Sequence, residues 1–163
     1  MPHPIQAVVI TASDACARGD REDQSGELLA EMLSEMGTHI VAREIVDDEL
    51  EPLAHKLRAY ADLKHVNLIV TTGGTGFGPR DNTPEATLRV IEREAPGLAE
   101  AMRLVTLKNT PMAMISRGVC GIRSGTLIIN LPGSPKAVRE SFDVIKPVLQ
   151  HAIDLISGHT RHA

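Results

Sequence analysis

Residues 66–78 read Val66-Asn67-Leu68-Ile69-Val70-Thr71-Thr72-Gly73-Gly74-Thr75-Gly76-Phe77-Gly78, a β-branched, apolar run that passes directly into a glycine-rich turn. A strand with almost no polar alternation is covered on both faces, and such strands belong to parallel sheets packed between helices. Thr83-Pro84-Glu85 then reads as a helix start, with Thr83 expected as N-cap, Pro84 at the first helical position and Glu85 complementing the helix dipole. Strand, glycine turn and capped helix in that order place the chain in the α/β class with a mostly parallel sheet.

The same alternation extends in both directions. Ile5 to Ile10 is a first apolar strand, and after a polar loop over residues 13–25 the residues Leu28, Leu29, Met32, Leu33 and Met36 recur at helical spacing before Gly37. His39 to Val46 is a second strand, and a helix is expected from about Glu49 to Ala61. Downstream the spacing predicts a short helix near Leu98–Leu107 and strands at Met112–Ile115 and Thr126–Leu131. Beyond the turn Pro132-Gly133-Ser134-Pro135, one apolar stripe from Ala137 to Ile156 marks a long final helix, which Pro147 is expected to kink or divide. Residues 158–163 are expected to fray, and with no repeat or linker in sight the whole of 1–163 reads as one domain.

Composition narrows the function. The 163 residues carry a formal net charge of −4 and 42% hydrophobic residues, with Phe77, Phe142 and Tyr60 the only aromatics. The core is therefore aliphatic, and general nucleic-acid binding, which needs a basic face and often stacking rings, is not expected. No apolar stretch approaches the roughly 20 residues of a membrane span. The short apolar run at the N-terminus has no basic leader, so a cytoplasmic protein with no membrane association is expected. Cys16 and Cys120 read as free thiols, and seven histidines without ligand spacing suggest no zinc site. There is no G-x-S-x-G elbow and no marked Cys–His pair, so hydrolase chemistry finds little support.

Chemistry concentrates in the loops between strands and helices. Gly73, Gly74, Thr75 and Gly76 let the backbone approach an anion closely and turn successive amides toward it, and the following helix start adds donors. The loop is neither a Walker A motif nor a G-x-G-x-x-G fingerprint, since Pro79 stands where the last glycine is needed. Arg80 and Asp81 beside it supply a cation and a carboxylate, the pair that magnesium-assisted phosphoryl or nucleotidyl transfer uses. Asp47, Asp48 and Glu49 close the second strand and either face the same crevice or cap the next helix. Asn130, Pro132, Gly133, Ser134 and Lys136 form a third strand-to-helix turn, with Ser134 as expected N-cap. Ser13-Asp14 and Asp23-Gln24-Ser25-Gly26 form a fourth, gripping a ligand or only capping. In a parallel sheet these loops gather at one edge.

Three blocks now combine: TTGGTGFGPRDNTPEAT, EAPGLAEAMR, and PMAMISRGVCGIRSGTLIINLPGSPKAV, preceded by VVITASDACARGDREDQSG and EIVDDELEPL. Together they resemble the molybdopterin adenylyltransferase family over about residues 5–157. The resemblance implies a three-layer α/β/α fold, a homotrimer, and Mg²⁺-dependent transfer of AMP from ATP to the terminal phosphate of molybdopterin. It also implies pyrophosphate release and a downstream molybdenum-insertion enzyme as partner. The family's two functional carboxylates, which would hold Mg²⁺, fall on Asp48 and Asp81. Its glycine loop falls on Gly73, Gly74, Thr75 and Gly76, and its pterin-side contacts fall near Ser116, Asn130, Pro132, Gly133 and Ser134. Asp47 stands where the family commonly has proline, and Asn82 where it often has an apolar residue. On this reading Ser13 contributes to the substrate site, the amides of Gly74 to Gly76 cradle a phosphate, and Arg80 and Lys136 are auxiliary cations. Two other readings compete: a non-catalytic molybdopterin-binding or scaffolding paralogue, and an unrelated α/β regulator that senses a nucleotide.

Overall fold

The computed structural model describes residues 2–159. Strands β1 (Gln6–Ala12), β2 (His39–Val46), β3 (Leu68–Thr72), β4 (Arg93–Glu94), β5 (Cys120–Arg123) and β6 (Thr126–Leu131) form one sheet in the order β2-β1-β3-β6-β5-β4. β2, β1, β3 and β6 run parallel, whereas β5 and β4 are added antiparallel at one side. The helices are α1 (Asp14–Ala17), α2 (Gln24–Glu35), α3 (Leu50–Ala61), α4 (Thr83–Val90), α5 (Pro96–Thr106) and α6 (Pro135–Ile156), with a 3₁₀ turn at Pro111–Ile115.

Side chains on a strand alternate between faces, and here the alternation feeds two cores. Ala7, Val9, Leu68, Val70, Leu127 and Ile129 face α2, α5 and α6, where Leu29, Leu33, Met102, Phe142 and Leu149 meet them. Val8, Ile10, Ile69 and Ile128 face the other way, onto Leu53, Leu57, Ala86 and Val90 of α3 and α4. Helices cover both faces, which gives the three-layer α/β/α arrangement. Each fully buried Leu, Ile or Phe contributes about 1.5–3 kcal/mol against exposure. Among the described residues no helix is long and apolar enough to cross a membrane.

The structure differs from the expectations at the Met112–Ile115 run and at the final helix. Met112–Ile115 is not a strand: Thr110 accepts a hydrogen bond from the Met112 amide through its side chain, Pro111 starts a 3₁₀ turn, and Met112 and Met114 stay exposed. A short apolar run has no period long enough to separate the two conformations. The final helix is not divided at Pro147, which lies on its exposed side while Phe142, Ile145, Leu149 and Ile153 carry one buried stripe past it. Packing of that stripe outweighs the one hydrogen bond the proline removes. At the C-terminus Gly158 turns at φ 81° and the His159 amide donates to Asp154 O (2.9 Å); residues 160–163 of the expected frayed tail lie outside the described residues.

The sheet order matters for function. From β1 the chain moves outward to β2, then returns across β1 to β3, so the connections leave β1 and β3 in opposite directions. A crevice opens at the carboxyl ends of strands at such a switch point. Gly73 follows β3 here, and a Cβ on it would stand 2.3 Å from the Ala12 carbonyl oxygen of β1. Only glycine permits that approach, which brings the strand ends together.

Candidate functional site

Two cavities meet at the carboxyl edge of β1, β3 and β6. The larger, about 630 Å³, is walled by Met102, Met112, Ala113, Ile115 and Ala137, with Ser116 among its polar groups. The smaller, about 450 Å³, is polar and includes Ser13, Arg21, Gln24, Ser25 and Asp48. Gly74, Asp81, Gly133 and Ser134 border both, so the two are lobes of one crevice.

The turn after β3 forms the partition between them. Gly73 and Gly74 adopt positive φ (93° and 68°), and a Cβ on Gly74 would stand 2.3 Å from Thr83 Oγ1 and 3.3 Å from Asp48 Oδ1. Gly76 and Gly78 give way to the Asp81 carboxylate, whose Oδ2 would lie 2.9 Å from a Cβ on either. The Gly78 amide donates to that oxygen (2.8 Å) and the Gly73 amide to Leu131 O (3.2 Å). Among the described residues the amides of Gly74, Thr75 and Gly76 have no protein acceptor, which leaves them available to an anion. Thr83 is not the N-cap. It is the first residue of α4, after Asn82, and its hydroxyl donates to Gly73 O (3.0 Å), locking the turn onto the helix.

Asp48 faces the smaller lobe, whereas exposed Asp47 only accepts from the Glu49 amide (3.2 Å) in a local turn. Asp48 and Asp14 clasp reciprocally: the Asp14 amide donates to Asp48 Oδ2 (2.9 Å), and the Asp48 amide to Asp14 Oδ1 (3.0 Å). Asn82 adds a bond from its Nδ2 to Asp48 O (2.8 Å), tying the acidic strand end to the glycine turn. Burial pushes the Asp48 carboxyl above the ordinary value of 3.8; the Asp14 amide opposes this, while the negative charges of Asp14 and Asp81 reinforce it. Asp14 goes the other way, to about 2, chiefly because Arg80 donates two hydrogen bonds to it (2.6 and 3.0 Å) and secondly through the Asp48 amide. Arg80 also reaches Glu49 (3.1 Å).

Of the remaining sequence-predicted residues, Asn130, Pro132, Gly133, Ser134 and Lys136 border the crevice, whereas Arg80 lines neither lobe. Ser134 caps α6, its Oγ accepting from the Ala137 amide (3.2 Å) with Pro135 beginning the helix. Pro132 and Gly133 shape the partition, and a Cβ on Gly133 would stand 3.2 Å from the Gly73 Cα. Lys136 borders the larger lobe with a largely exposed side chain, 3.9 Å from Glu140. Asn130 borders it too, but its amide nitrogen donates to Thr71 and Thr87 (3.0 Å each) and its oxygen accepts from the Val119 amide (3.1 Å). Its amide therefore holds β6, β3, α4 and the approach to β5 together. Arg80 is likewise already bound, to Asp14 and Glu49, instead of presenting a free charge.

Sequence reasoning missed Arg21, which borders the smaller lobe, and two further arginines that brace the site. Arg103 of α5 donates to Gly118 O (2.8 Å) and supports the rim of the larger lobe. Arg117 donates to Gly76 O (2.7 Å) and Asp81 O (2.8 Å) and pairs with Glu85. Its partners lie 32–41 residues away in sequence, so no local spacing signals them.

A parallel sheet with glycine turns at its carboxyl edge, amides without a protein acceptor and paired carboxylates beside them defines an α/β protein whose crevice is suited to a phosphate-bearing ligand. Residues 8–151 match the model of a family described as a probable molybdopterin binding domain, and the chain belongs to that family. It is 43% identical to a molybdopterin adenylyltransferase of Helicobacter pylori over 153 residues, covering 93% of this chain and 87% of that protein. It is 45% identical over 150 residues to the molybdenum cofactor synthesis protein cinnamon of Drosophila melanogaster, which covers 91% of this chain but only 25% of that longer protein. Among solved structures, the molybdopterin biosynthesis enzyme MoaB of Thermus thermophilus superposes with a TM-score of 0.89 at 49% identity, over 94% of this chain and 97% of that one.

Proposed function

We propose that this chain is a molybdopterin adenylyltransferase of molybdenum cofactor biosynthesis, transferring AMP from ATP to the terminal phosphate of molybdopterin. The observation that carries the reading is the junction of the two lobes. Two substrates need two compartments that meet at one reacting centre, and here they meet at Gly74 and Asp81 with Asp48 beside them. The larger, apolar-walled lobe with Ser116 suits the pterin; the smaller polar lobe suits the nucleotide. A phosphate oxygen of molybdopterin attacks the α-phosphorus of ATP in line, forming the new P–O bond as the bond to pyrophosphate breaks. Such a reaction asks the protein for positioning and charge neutralisation more than for covalent chemistry. The free amides of Gly74 to Gly76 supply fixed dipoles at the junction. Arg80 would reach a phosphate only by leaving Asp14, so its first role is to hold the acidic clasp.

Asp48 and Asp81 are the residues that would hold Mg²⁺. Among the described residues no cluster of three or more His, Cys, Asp or Glu can hold a metal alone. Magnesium takes one or two carboxylates and completes its shell with substrate phosphates and water. When bound, the ion neutralises phosphate oxygens. Burial and like charges disfavour ionised Asp48, and a cation there would relieve both. A homotrimer in the cytoplasm that hands its product to a molybdenum-insertion enzyme completes the reading. Exposed Leu104, Met112 and Met114 beside the larger lobe offer apolar surface for such an assembly, and sedimentation of the purified protein tests it.

Purified protein incubated with molybdopterin, ATP and magnesium should yield adenylated pterin and pyrophosphate in equal amounts. Pterin binding with neither product would favour the non-catalytic reading instead.

A further inference from the structure

Asp81 is held in place mostly from behind. Its own carboxylate makes one bond, to the Gly78 amide, inside the same turn. That turn contains Gly73, Gly74, Gly76 and Gly78 and has no regular secondary structure between β3 and α4. A glycine-rich segment has the most conformational entropy to lose, so an unrestrained turn would spread the carboxylate over many positions.

Arg117 supplies the restraint. Its Nε donates to Gly76 O (2.7 Å), its guanidinium donates to Asp81 O (2.8 Å) and to the Glu85 carboxylate, and its own amide donates to Thr75 O (2.8 Å). These bonds fix the turn on both sides of Gly78 and join it to the first turn of α4. Glu85 is held below the ordinary carboxylate range chiefly by this arginine. Arg117 borders neither lobe, whereas its neighbours Ser116 and Gly118 both border the larger one. The residue therefore joins the wall of one compartment to the carboxylate at the junction without touching either.

We propose that Arg117 is a positioning residue for the adenylyl transfer, holding Asp81 at the junction of the two lobes through Gly76, Asp81 O and Glu85. The proposal rests on the transferase reading above. Three acceptors in different directions need the planar, multiply donating guanidinium, and a lysine ammonium on its flexible stem cannot meet them all.

The test compares the full chain with Arg117→Met, Arg117→Lys and Glu85→Gln. Exchange of the hydrogen-bonded amides of the turn, Gly73, Gly78 and Asp81, should rise about tenfold in the free protein in Arg117→Met, while peptides from β1 and β3 keep their protection. kcat should fall on the order of a hundredfold with the Kd for molybdopterin changed less than about threefold, as expected for misplacement at the reacting centre. Arg117→Lys should recover part of kcat, and Glu85→Gln should lose only a few-fold. Unchanged exchange in Arg117→Met overturns the proposal, and so does a loss of kcat and pterin affinity in step with falling thermal stability. If Arg117→Met does not fold, the same two readouts on Glu85→Gln decide. If the unaltered protein shows no transfer, the transferase reading fails, while the exchange result still reports on Arg117.

Discussion

The turn after β3 and the turn after β6 look alike in sequence, each an apolar strand running into glycine and a proline-started helix. In the structure they are built on different principles. The turn after β3 holds two glycines at positive φ, packs Gly74 against Thr83 and Asp48, and is braced by distant Arg117 and by the bond from its own Asn82 to distant Asp48. The turn after β6 uses ordinary backbone, a single N-cap at Ser134 and a Gly133 that only needs to clear Gly73. One turn positions a carboxylate and open amides under constraint; the other supplies shape and a helix start. Strain and long-range bracing accumulate where geometry must be held for chemistry.

That contrast orders the expected effects of substitution. The largest belongs to Asp81→Asn, which keeps the shape of the turn and removes one charge: kcat should fall about 10²–10³-fold with little change in thermal stability. An undiminished kcat in a folded protein would remove Asp81 from the chemistry. Gly74→Ala comes next, since alanine at φ 68° is strained and its Cβ would stand 2.3 Å from Thr83 Oγ1. Denaturant unfolding should show a loss of about 2–3 kcal/mol, whereas Gly133→Ala, in the other turn, should cost well under half of that. Similar losses at both glycines would erase the distinction drawn here.

Asn130 lies between the two turns and sharpens the comparison. Asn130→Ala leaves the Val119 amide and the Thr71 hydroxyl without this partner and Thr87 with only its bond to Thr83 O, so a loss of about 2 kcal/mol in unfolding free energy is expected. A large drop in pterin affinity with full stability would instead assign Asn130 to the ligand. Ser134→Ala removes only the α6 cap and should cost about 1 kcal/mol with kcat nearly unchanged, as chemical denaturation and steady-state kinetics would show. The smallest effect is electrostatic. Asp48 titrates above 3.8 through burial and the charges of Asp14 and Asp81. Carboxyl NMR should therefore find its midpoint lower in Asp81→Asn than in the unaltered protein. Because its folded pKa is raised, ionising Asp48 weakens folding as pH rises through that value, and Asp81→Asn should lessen the weakening.

Much of the fold could be read from residues alone because burial on both faces leaves a direct trace: Leu68–Thr72 and Thr126–Leu131 are buried throughout, and both are largely apolar, β-branched-rich runs interrupted only by Asn130. The short antiparallel additions β4 and β5 left none, since Arg93–Glu94 is exposed and Cys120–Arg123 has no clear period. At the site, the loops that gather could be anticipated from strand ends and glycines. Partner choice could not. Arg80 binds Asp14, 66 residues away, and Arg117 binds Gly76, 41 residues away, and only the folded sheet edge brings them together.

The account stands or falls on whether the two lobes act as one reacting centre. The direct measurement is a single-turnover experiment with ATP labelled at the α-phosphorus, followed by rapid quench in the unaltered protein and in Asp81→Asn. The account predicts that label moves to molybdopterin at the rate pyrophosphate is released, and that Asp81→Asn still binds both substrates but transfers almost none. Label appearing only as free AMP, or no transfer by the unaltered protein with both substrates bound, would contradict it.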